Sequence, residues 1–385
     1  DYQYVLTYLM EIYGSMDAGL TEWAAGTFIP RFEKHMERER FPVFPYVGFR
    51  NWHDPRSGLI TEVAPPMLSQ GYTALRNRPG LLLETHMLKP YDKRVDATYE
   101  SLVATMEILS AESAKLKRLL RQADAFACGM EFQGEPFPLR FEVRRDDSTM
   151  VKFLGVEYTV DTSELTGGPW FRYSHTPAVF DLPYFSHSGP VKTARLPVAY
   201  VLPAGWNTAA MRLKDHGLRM TTIARDTTVK VSAIRLSNPK WQQNPYEGRH
   251  PLTGFDQAET EETITLPAGS LLIEVSQPAA RIIPHLLEPD GNGSLLYWGF
   301  FDAVFEQKEY GESYVMEPLA REMMAADPQL SKEFTDKKAS DQAFASNPWA
   351  MLNWFYLRSR YGDTRKGLYP VLKIYDRALV QSLRR

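Results

Sequence analysis

The residue best placed to do chemistry in this 385-residue chain is Glu84. It ends the run Gly80-Leu81-Leu82-Leu83-Glu84, directly after the breaker Arg78-Pro79-Gly80. A short continuous apolar run behind a turn is the pattern of a strand buried on both faces. A carboxylate at the end of such a strand stands in the crevice where α/β sheets carry their sites, and it can accept a proton from water. The blander alternative is a glutamate that caps a loop. Arg76 and Arg78 precede the strand; a guanidinium there binds a carboxylate through paired hydrogen bonds, or is a solvated loop charge. His86 lies two residues beyond Glu84. On a continuing strand the two share a face, but a histidine satisfied by backbone or by Tyr91 is the simpler reading.

Eight histidines and a single cysteine, Cys128, bound the other possibilities. One cysteine excludes an internal disulfide and any multi-cysteine metal site, and a buried free thiol is expected. His285-Leu286-Leu287-Glu288 has His-x-x-Glu spacing, but no histidine follows it and a proline stands on each side. Those prolines argue for a turn rather than a metal site. His35-Met36-Glu37 and His53-Asp54 read as surface pairs. His175 and His187 fall in an aromatic stretch that suits the cover of a sheet edge. No Gly-x-Ser-x-Gly elbow, phosphate-binding Gly-rich loop or Cys/His nucleophile signature occurs.

The elements that must position these groups follow from periodicity. Residues 1–40 read as helical, with Tyr4, Tyr8, Leu9, Ile12 and Tyr13 at short helical spacings, Thr21 as a cap, and Pro30 as an interruption. Residues 41–60 are rich in turn signals. From Arg94 to about Gln122 a helix is expected, with Val95, Leu102, Val103, Met106 and Leu109 on its apolar side. Beyond residue 124 short β-rich pieces appear (139–143, 152–160, 227–234, 261–266), with an extended connection over 165–190. From about Ser294 the chain turns helical again, over 309–324 and 340–358.

Composition narrows the class. With 44 basic against 47 acidic residues, the balance offers no electrostatic case for nucleic acid or an anionic membrane. No apolar run is long enough to span a bilayer. The first residue is Asp1 rather than Met, as expected of a processed or truncated chain, and no signal peptide opens it.

The segment Gly80–Tyr91 with Lys93-Arg94-Val95 resembles the final strand and helix of the zinc carboxypeptidase catalytic domain. It is most similar to a bacterial carboxypeptidase-like subfamily, in which a Pro-x-Leu-Leu-x-Glu-Thr strand ends in the catalytic glutamate and a Lys-x-Arg-Val helix follows. Asp1-Tyr2-Gln3-Tyr4 with Leu6-Thr7-Tyr8, His285-Leu-Leu-Glu-Pro-Asp290, Trp298-Gly-Phe-Phe-Asp302 and Tyr369-Pro370-Val371 resemble other parts of the same subfamily. The resemblance implies a zinc ion held by a His-x-x-Glu pair and a later His, all upstream of Asp1, so that no metal ligand is expected within this chain. It implies Glu84 as the general base. It places the family's substrate-carboxylate arginines upstream too. By spacing, the tyrosine that closes over substrate falls near Thr61 or Glu62, neither of which is tyrosine, which leaves Tyr46 and Tyr72 as candidates.

The resulting expectation is an α/β fold: the C-terminal half of a zinc-carboxypeptidase-type domain, a mixed sheet flanked by helices, over residues 1–123. A mainly β accessory domain over 124–293 and a helical extension over 294–385 follow. Glu84 is the expected catalytic residue, with Tyr72, Arg76 and Arg78 as substrate-binding candidates. The expected activity is zinc-dependent hydrolysis of a peptide bond by the complete protein, in the periplasm or outside the cell, with the fragment alone inactive. The alternative is a non-catalytic module that binds peptides or cell-wall fragments.

Overall fold

The computed structural model describes residues 2–14 and 16–384. In chain order it runs β1 (Leu6–Met10), α1 (Ala18–Trp23), α2 (Ile29–Arg38), β2 (Val43–Pro45), β3 (Gly48–Asn51), β4 (Asp54–Ile60), α3 (Ser69–Leu75), β5 (Leu81–Thr85), α4 (Tyr91–Ala111), α5 (Ser113–Ala127) and α6 (Met130–Gly134). There follow β6 (Phe137–Val143), β7 (Thr149–Thr162), β8 (Pro169–Phe185), β9 (Ser188–Ala194), β10 (Ala199–Leu202), α7 (Asn207–Asp215), β11 (Thr221–Thr222), β12 (Thr227–Trp241), β13 (Leu252–Leu266), β14 (Leu271–Glu274) and α8 (Ile282–Leu287). The chain closes with α9 (Ser313–Ala326), α10 (Pro328–Ser340), α11 (Gln342–Ala345), α12 (Pro348–Tyr356), β15 (Leu372–Ile374) and α13 (Arg377–Leu383). The mixture of sheets and helices is α/β in the broad sense.

Two compact units emerge. The first comprises Asp1–Val229, Thr265–Trp298 and Lys373–Arg385, and the second Lys230–Ile264 and Gly299–Leu372. Residue 123 lies within α5 of the first unit. In the second unit, the helices α9 to α12 enclose Met316, Ala320, Phe344, Trp354 and Phe355, with the Phe334 ring tilted against Phe355 at 4.7 Å.

In the first unit, β1 is a strand, not part of the helix expected over 1–40. All five of its residues are buried, so its aromatic spacing serves two faces rather than one helical stripe. The helix that follows is capped by Asp17, whose Oδ1 accepts from the Gly19 and Leu20 backbone amides, and not by Thr21. Pro30 does not stop it: a π-turn over Ala24–Phe28 runs straight into α2, and this local widening accommodates the proline, which lacks a backbone N–H. The one helix expected from Arg94 to about Gln122 is two, α4 and α5, with the break at Glu112, and α4 turns its small residues inward. Ala97, Ser101, Ala104 and Ile108 are buried, while Leu102 and Met106 are 52% and 63% exposed. Small side chains let α4 approach α2 closely, which reverses the apolar face expected from residue size.

The three-stranded sheet has the order β2-β1-β5, with β1 parallel to β2 and antiparallel to β5. A second sheet, β3-β4-β8-β7, carries a long β7–β8 pairing. The stretch 165–190, expected as an extended connection, is therefore largely the strand β8. Tyr4, Phe44, Leu59, Phe153 and Leu182 form an apolar cluster, with Phe44 edge-on to Phe153 at 5.3 Å. β6 pairs with β9, and β11, β14 and β10 lie side by side in the six-stranded sheet.

α3 sits tightly on the loop that precedes it. A Cβ on Gly71 would lie 2.3 Å from the Pro65 carbonyl oxygen and 2.5 Å from that of Ala64. Backbone cannot yield as a side-chain tip can. Gly71→Ala is expected to destabilise the unit by about 1–3 kcal/mol, as overpacking does. Urea unfolding measures this, and a change within about 0.5 kcal/mol, the scatter of ordinary surface substitutions, would contradict the contact.

α8 is a fully buried helix rather than the turn that its prolines suggested, with Pro284 in its first turn where proline is tolerated. Glu288 accepts from Tyr200 Oη at 2.7 Å and pairs with Lys373 Nζ at 2.8 Å, both ions being almost wholly buried. Among the described residues His285 has no hydrogen-bond partner at either ring nitrogen, and it stands edge-on to Phe137. Burial pushes its pKa down to about 4. Unfolding releases the ring to water and a pKa near 6.5, so between those values the unfolded chain holds the extra proton. Stability therefore falls as pH drops through this window, by about 3 kcal/mol in full. Denaturant midpoints measured from pH 7 to pH 4 should show the slope, and His285→Leu should flatten it. An undiminished slope in that variant would count against His285 as its source.

Candidate functional site

β5 explains how Glu84 reaches solvent. Side chains alternate along a strand. Leu81 and Leu83 pack with Leu6, Tyr8 and Met10 of β1 against the helical layer that contains Phe28, Phe32 and Ala104. Leu82 and Glu84 point the other way, into a cavity of about 600 Å³. The strand is therefore buried on one face, not both. In the ladder Thr7 stands opposite Glu84, and the Thr7 hydroxyl donates to the Glu84 carbonyl. The Glu84 side chain is exposed. Among the described residues no hydrogen bond or ion pair engages its carboxylate, as a group available to solvent or ligand requires.

The cavity is shared with Leu9, Tyr46, Gly48, Ile60, Thr61, Glu62, Leu68 and Gln70, and its volume is that of a pocket for a small ligand or a peptide end. Its wall over 61–65 is held from beneath. Glu11, buried at the end of β1, accepts from the Ala64 amide at 2.7 Å and the Tyr13 amide at 3.0 Å. A relay of hydroxyls completes the hold: Tyr13 Oη lies 3.1 Å from Tyr184 Oη, Tyr184 donates to Thr61 Oγ1 at 2.9 Å, and Thr61 donates to the Tyr46 carbonyl at 3.3 Å. Burial raises the pKa of both Tyr13 and Tyr184, so both phenols stay protonated and serve as hydrogen-bonding links. Tyr46 is left half-exposed on the cavity wall.

The candidates named from sequence divide. Glu84 and Tyr46 line one cavity. Tyr72, Arg76 and Arg78 are engaged elsewhere. Tyr72 Oη lies 3.1 Å from His216 Nδ1, and Arg76 donates to the His216 carbonyl at 2.8 Å, at the C-terminus of α7. Arg78 makes a bidentate pair with Asp124 of α5, at 3.1 and 2.9 Å. Burial alone would raise the Asp124 pKa, but hydrogen bonds from Arg78 and Asn77 outweigh it and hold the carboxyl below its usual range. These three side chains fasten the α3–β5 corner to its neighbours. The strand ends before His86. Its Nδ1 accepts from the Leu88 amide and its ring packs edge-on to Tyr2, while burial and Lys89 lower its pKa.

Glu62 and Gln70 line the same cavity as Glu84, and no residue pattern in the sequence singles them out as partners. The cavity thus presents two carboxylates, an amide, two hydroxyls and a phenol. Such a set can take a proton from water and bind amide or ammonium groups. It has no histidine, so it does not fit a zinc ion held through imidazoles.

No family model matches the chain, and no solved structure matches it. Curated relatives do. The chain is 26% identical over 161 residues to Carboxypeptidase 2 of Trichophyton rubrum, covering 42% of the chain and 29% of that protein. To Carboxypeptidase 2 of Trichophyton tonsurans it is 29% identical over 125 residues, covering 31% of the chain and 23% of the relative. The protein of that name in Trichophyton equinum matches at the same identity and coverage. The chain therefore spans about a quarter of the length of these relatives, and part of it is distantly similar to fungal carboxypeptidases.

Proposed function

We propose that this chain forms part of a zinc-dependent carboxypeptidase, with Glu84 as the general base for hydrolysis of a peptide bond. The observation that carries the reading is the Glu84 carboxylate, which has no partner among the described residues and projects from the end of β5 into a cavity of peptide-end dimensions. The distant similarity to carboxypeptidases supports the peptidase class.

On this reading Glu84 takes a proton from the attacking water as oxygen adds to the scissile carbonyl, and then delivers it to the departing amine. Tyr46, half-exposed on the same wall, is positioned to hydrogen-bond the bound peptide, and Gln70 offers an amide to its backbone. Zinc, where the enzyme carries it, supplies Lewis-acid polarisation and an acidified water. Its ligands on this reading lie outside residues 1–385, and the expected site of action is the periplasm or the cell exterior. Tyr72, Arg76 and Arg78 act on the site indirectly, by holding the corner from which β5 starts.

The acid-lined, histidine-free cavity also suits the second reading, a peptide-binding module without turnover. One experiment separates the two. In the catalytically complete protein, Glu84→Gln keeps the size of the side chain and removes its basicity. The loss expected for a general base is about 10²–10⁴-fold in kcat, with peptide affinity within a few-fold and zinc content unchanged. Release of C-terminal residues from a blocked peptide reads the rate, and calorimetry reads the binding. A variant that keeps most of its kcat would overturn Glu84 as base. Wild-type protein that binds peptide without cleaving it would transfer the case to the binding module.

A further inference from the structure

The sequence places His35 beside Glu37 as a surface pair, but the structure buries it. His35 of α2 is 8% exposed, and three carboxylates, two from α4 and one from the residue that ends α2, gather round its ring. Glu100 Oε2 of α4 lies 3.3 Å from Nε2, Glu107 Oε2 of α4 lies 3.5 Å from Nδ1, and Glu39 stands one turn beyond His35, as i and i+4 residues do. Ligand atoms of His35, Glu39 and Glu100 all lie within 4.8 Å of one another.

We propose that His35, Glu39 and Glu100 bind a divalent transition-metal ion, zinc by donor type, at a site separate from the Glu84 cavity. None of the three lines that cavity. Nitrogen and oxygen donors about 2.0–2.1 Å from a tetrahedral zinc stand about 3.3 Å apart. The His35–Glu100 pair already has that spacing, and rotation of the Glu39 side chain brings in the third ligand.

The charge of the cluster supports the assignment, and the histidine tautomer must switch for the ion to bind. Arg38 pairs with Glu39 at 2.9 Å, which leaves two of the three glutamates without that guanidinium's charge. A dication balances them. Arg38 Nη2 also lies 3.2 Å from His35 Nδ1. A guanidinium only donates, so Nδ1 accepts and the ring proton sits on Nε2, toward Glu100. Metal binding at Nε2 requires that proton on Nδ1, where Glu107 receives it. The result is a carboxylate–histidine–metal arrangement with no net change in protons. Arg38 therefore competes with the ion twice, at Glu39 and at His35. The scaffold is firm: Phe32 and Met36 of α2 are fully buried, and Ser101, next to Glu100, donates to the Ala97 carbonyl at 2.8 Å and lies 3.5 Å from Met36 Sδ.

The test is cobalt titration of the chelator-stripped 385-residue chain, followed by d–d absorbance and then displacement by zinc. One equivalent is expected to bind with a four- or five-coordinate spectrum. His35→Asn and Glu100→Gln should each weaken binding at least about tenfold, the scale on which metal-site residues act, with the far-ultraviolet dichroism unchanged. Glu84→Gln should bind as wild type does, which keeps this outcome independent of the proposed base. Arg38→Gln should bind more tightly, a gain that no loss of structure would produce. Absence of stoichiometric binding in the wild type, or binding indifferent to both His35→Asn and Glu100→Gln, would overturn the proposal. Should His35→Asn fail to fold, the exchange at Glu100 decides.

Discussion

The antiparallel ladder between β1 and β5 is the constraint on which the candidate site depends. Its register sets Thr7 opposite Glu84 and Leu9 opposite Leu82. Because side chains alternate, a slip of one residue would turn Glu84 into the layer of Phe28, Phe32 and Ala104 and expose Leu83 in its place. Burying an unpaired carboxylate costs several kcal/mol, so the apolar face of β5 and the charge of Glu84 enforce the same register. One pairing thus builds the helical core on one side of the sheet and opens the cavity on the other.

The wall facing Glu84 is an irregular segment, and irregular segments need their polar groups satisfied where they are buried. Glu11 supplies this at the far end of β1. Its two carboxylate oxygens each take a backbone amide, one from Ala64 and one from Tyr13. The hydroxyl relay from Tyr13 through Tyr184 and Thr61 then reaches the backbone of Tyr46. The strand that sets Glu84 by its pairing also sets the opposite wall through Glu11, the residue that directly follows it. Gly71 completes the enclosure, since its missing side chain lets α3 lie directly on the carbonyls of Ala64 and Pro65.

The long cationic side chains show why site membership is hard to read from a sequence. Arg76 and Arg78 precede β5 and have the chemistry to bind a substrate carboxylate. Asp124 lies 46 residues from Arg78 and satisfies it with two hydrogen bonds. The His216 carbonyl lies 140 residues from Arg76. A guanidinium binds whichever carboxylate or helix C-terminus the fold brings near it, and that neighbour is not encoded locally. His35 is the converse. Its sequence neighbours suggest a surface pair, while its partners Glu100 and Glu107 come from a helix more than 60 residues away.

The sequence by itself determined a short apolar strand at 81–83 that ends in a carboxylate, the helix after it, the β-rich middle and the helical segments beyond residue 309. These are local patterns, and period and breaker residues report them without reference to the rest of the chain. It did not determine that β1 is a strand, because its pattern of aromatic and aliphatic residues satisfies helical spacing as readily as two buried sheet faces. It did not determine that α4 packs through Ala97, Ser101 and Ala104, since small residues become a contact face only when a partner helix comes close. The cavity, its second carboxylate Glu62 and the cluster round His35 were decided by tertiary structure alone. Each joins residues far apart in sequence, and only the completed packing sets the distances between them.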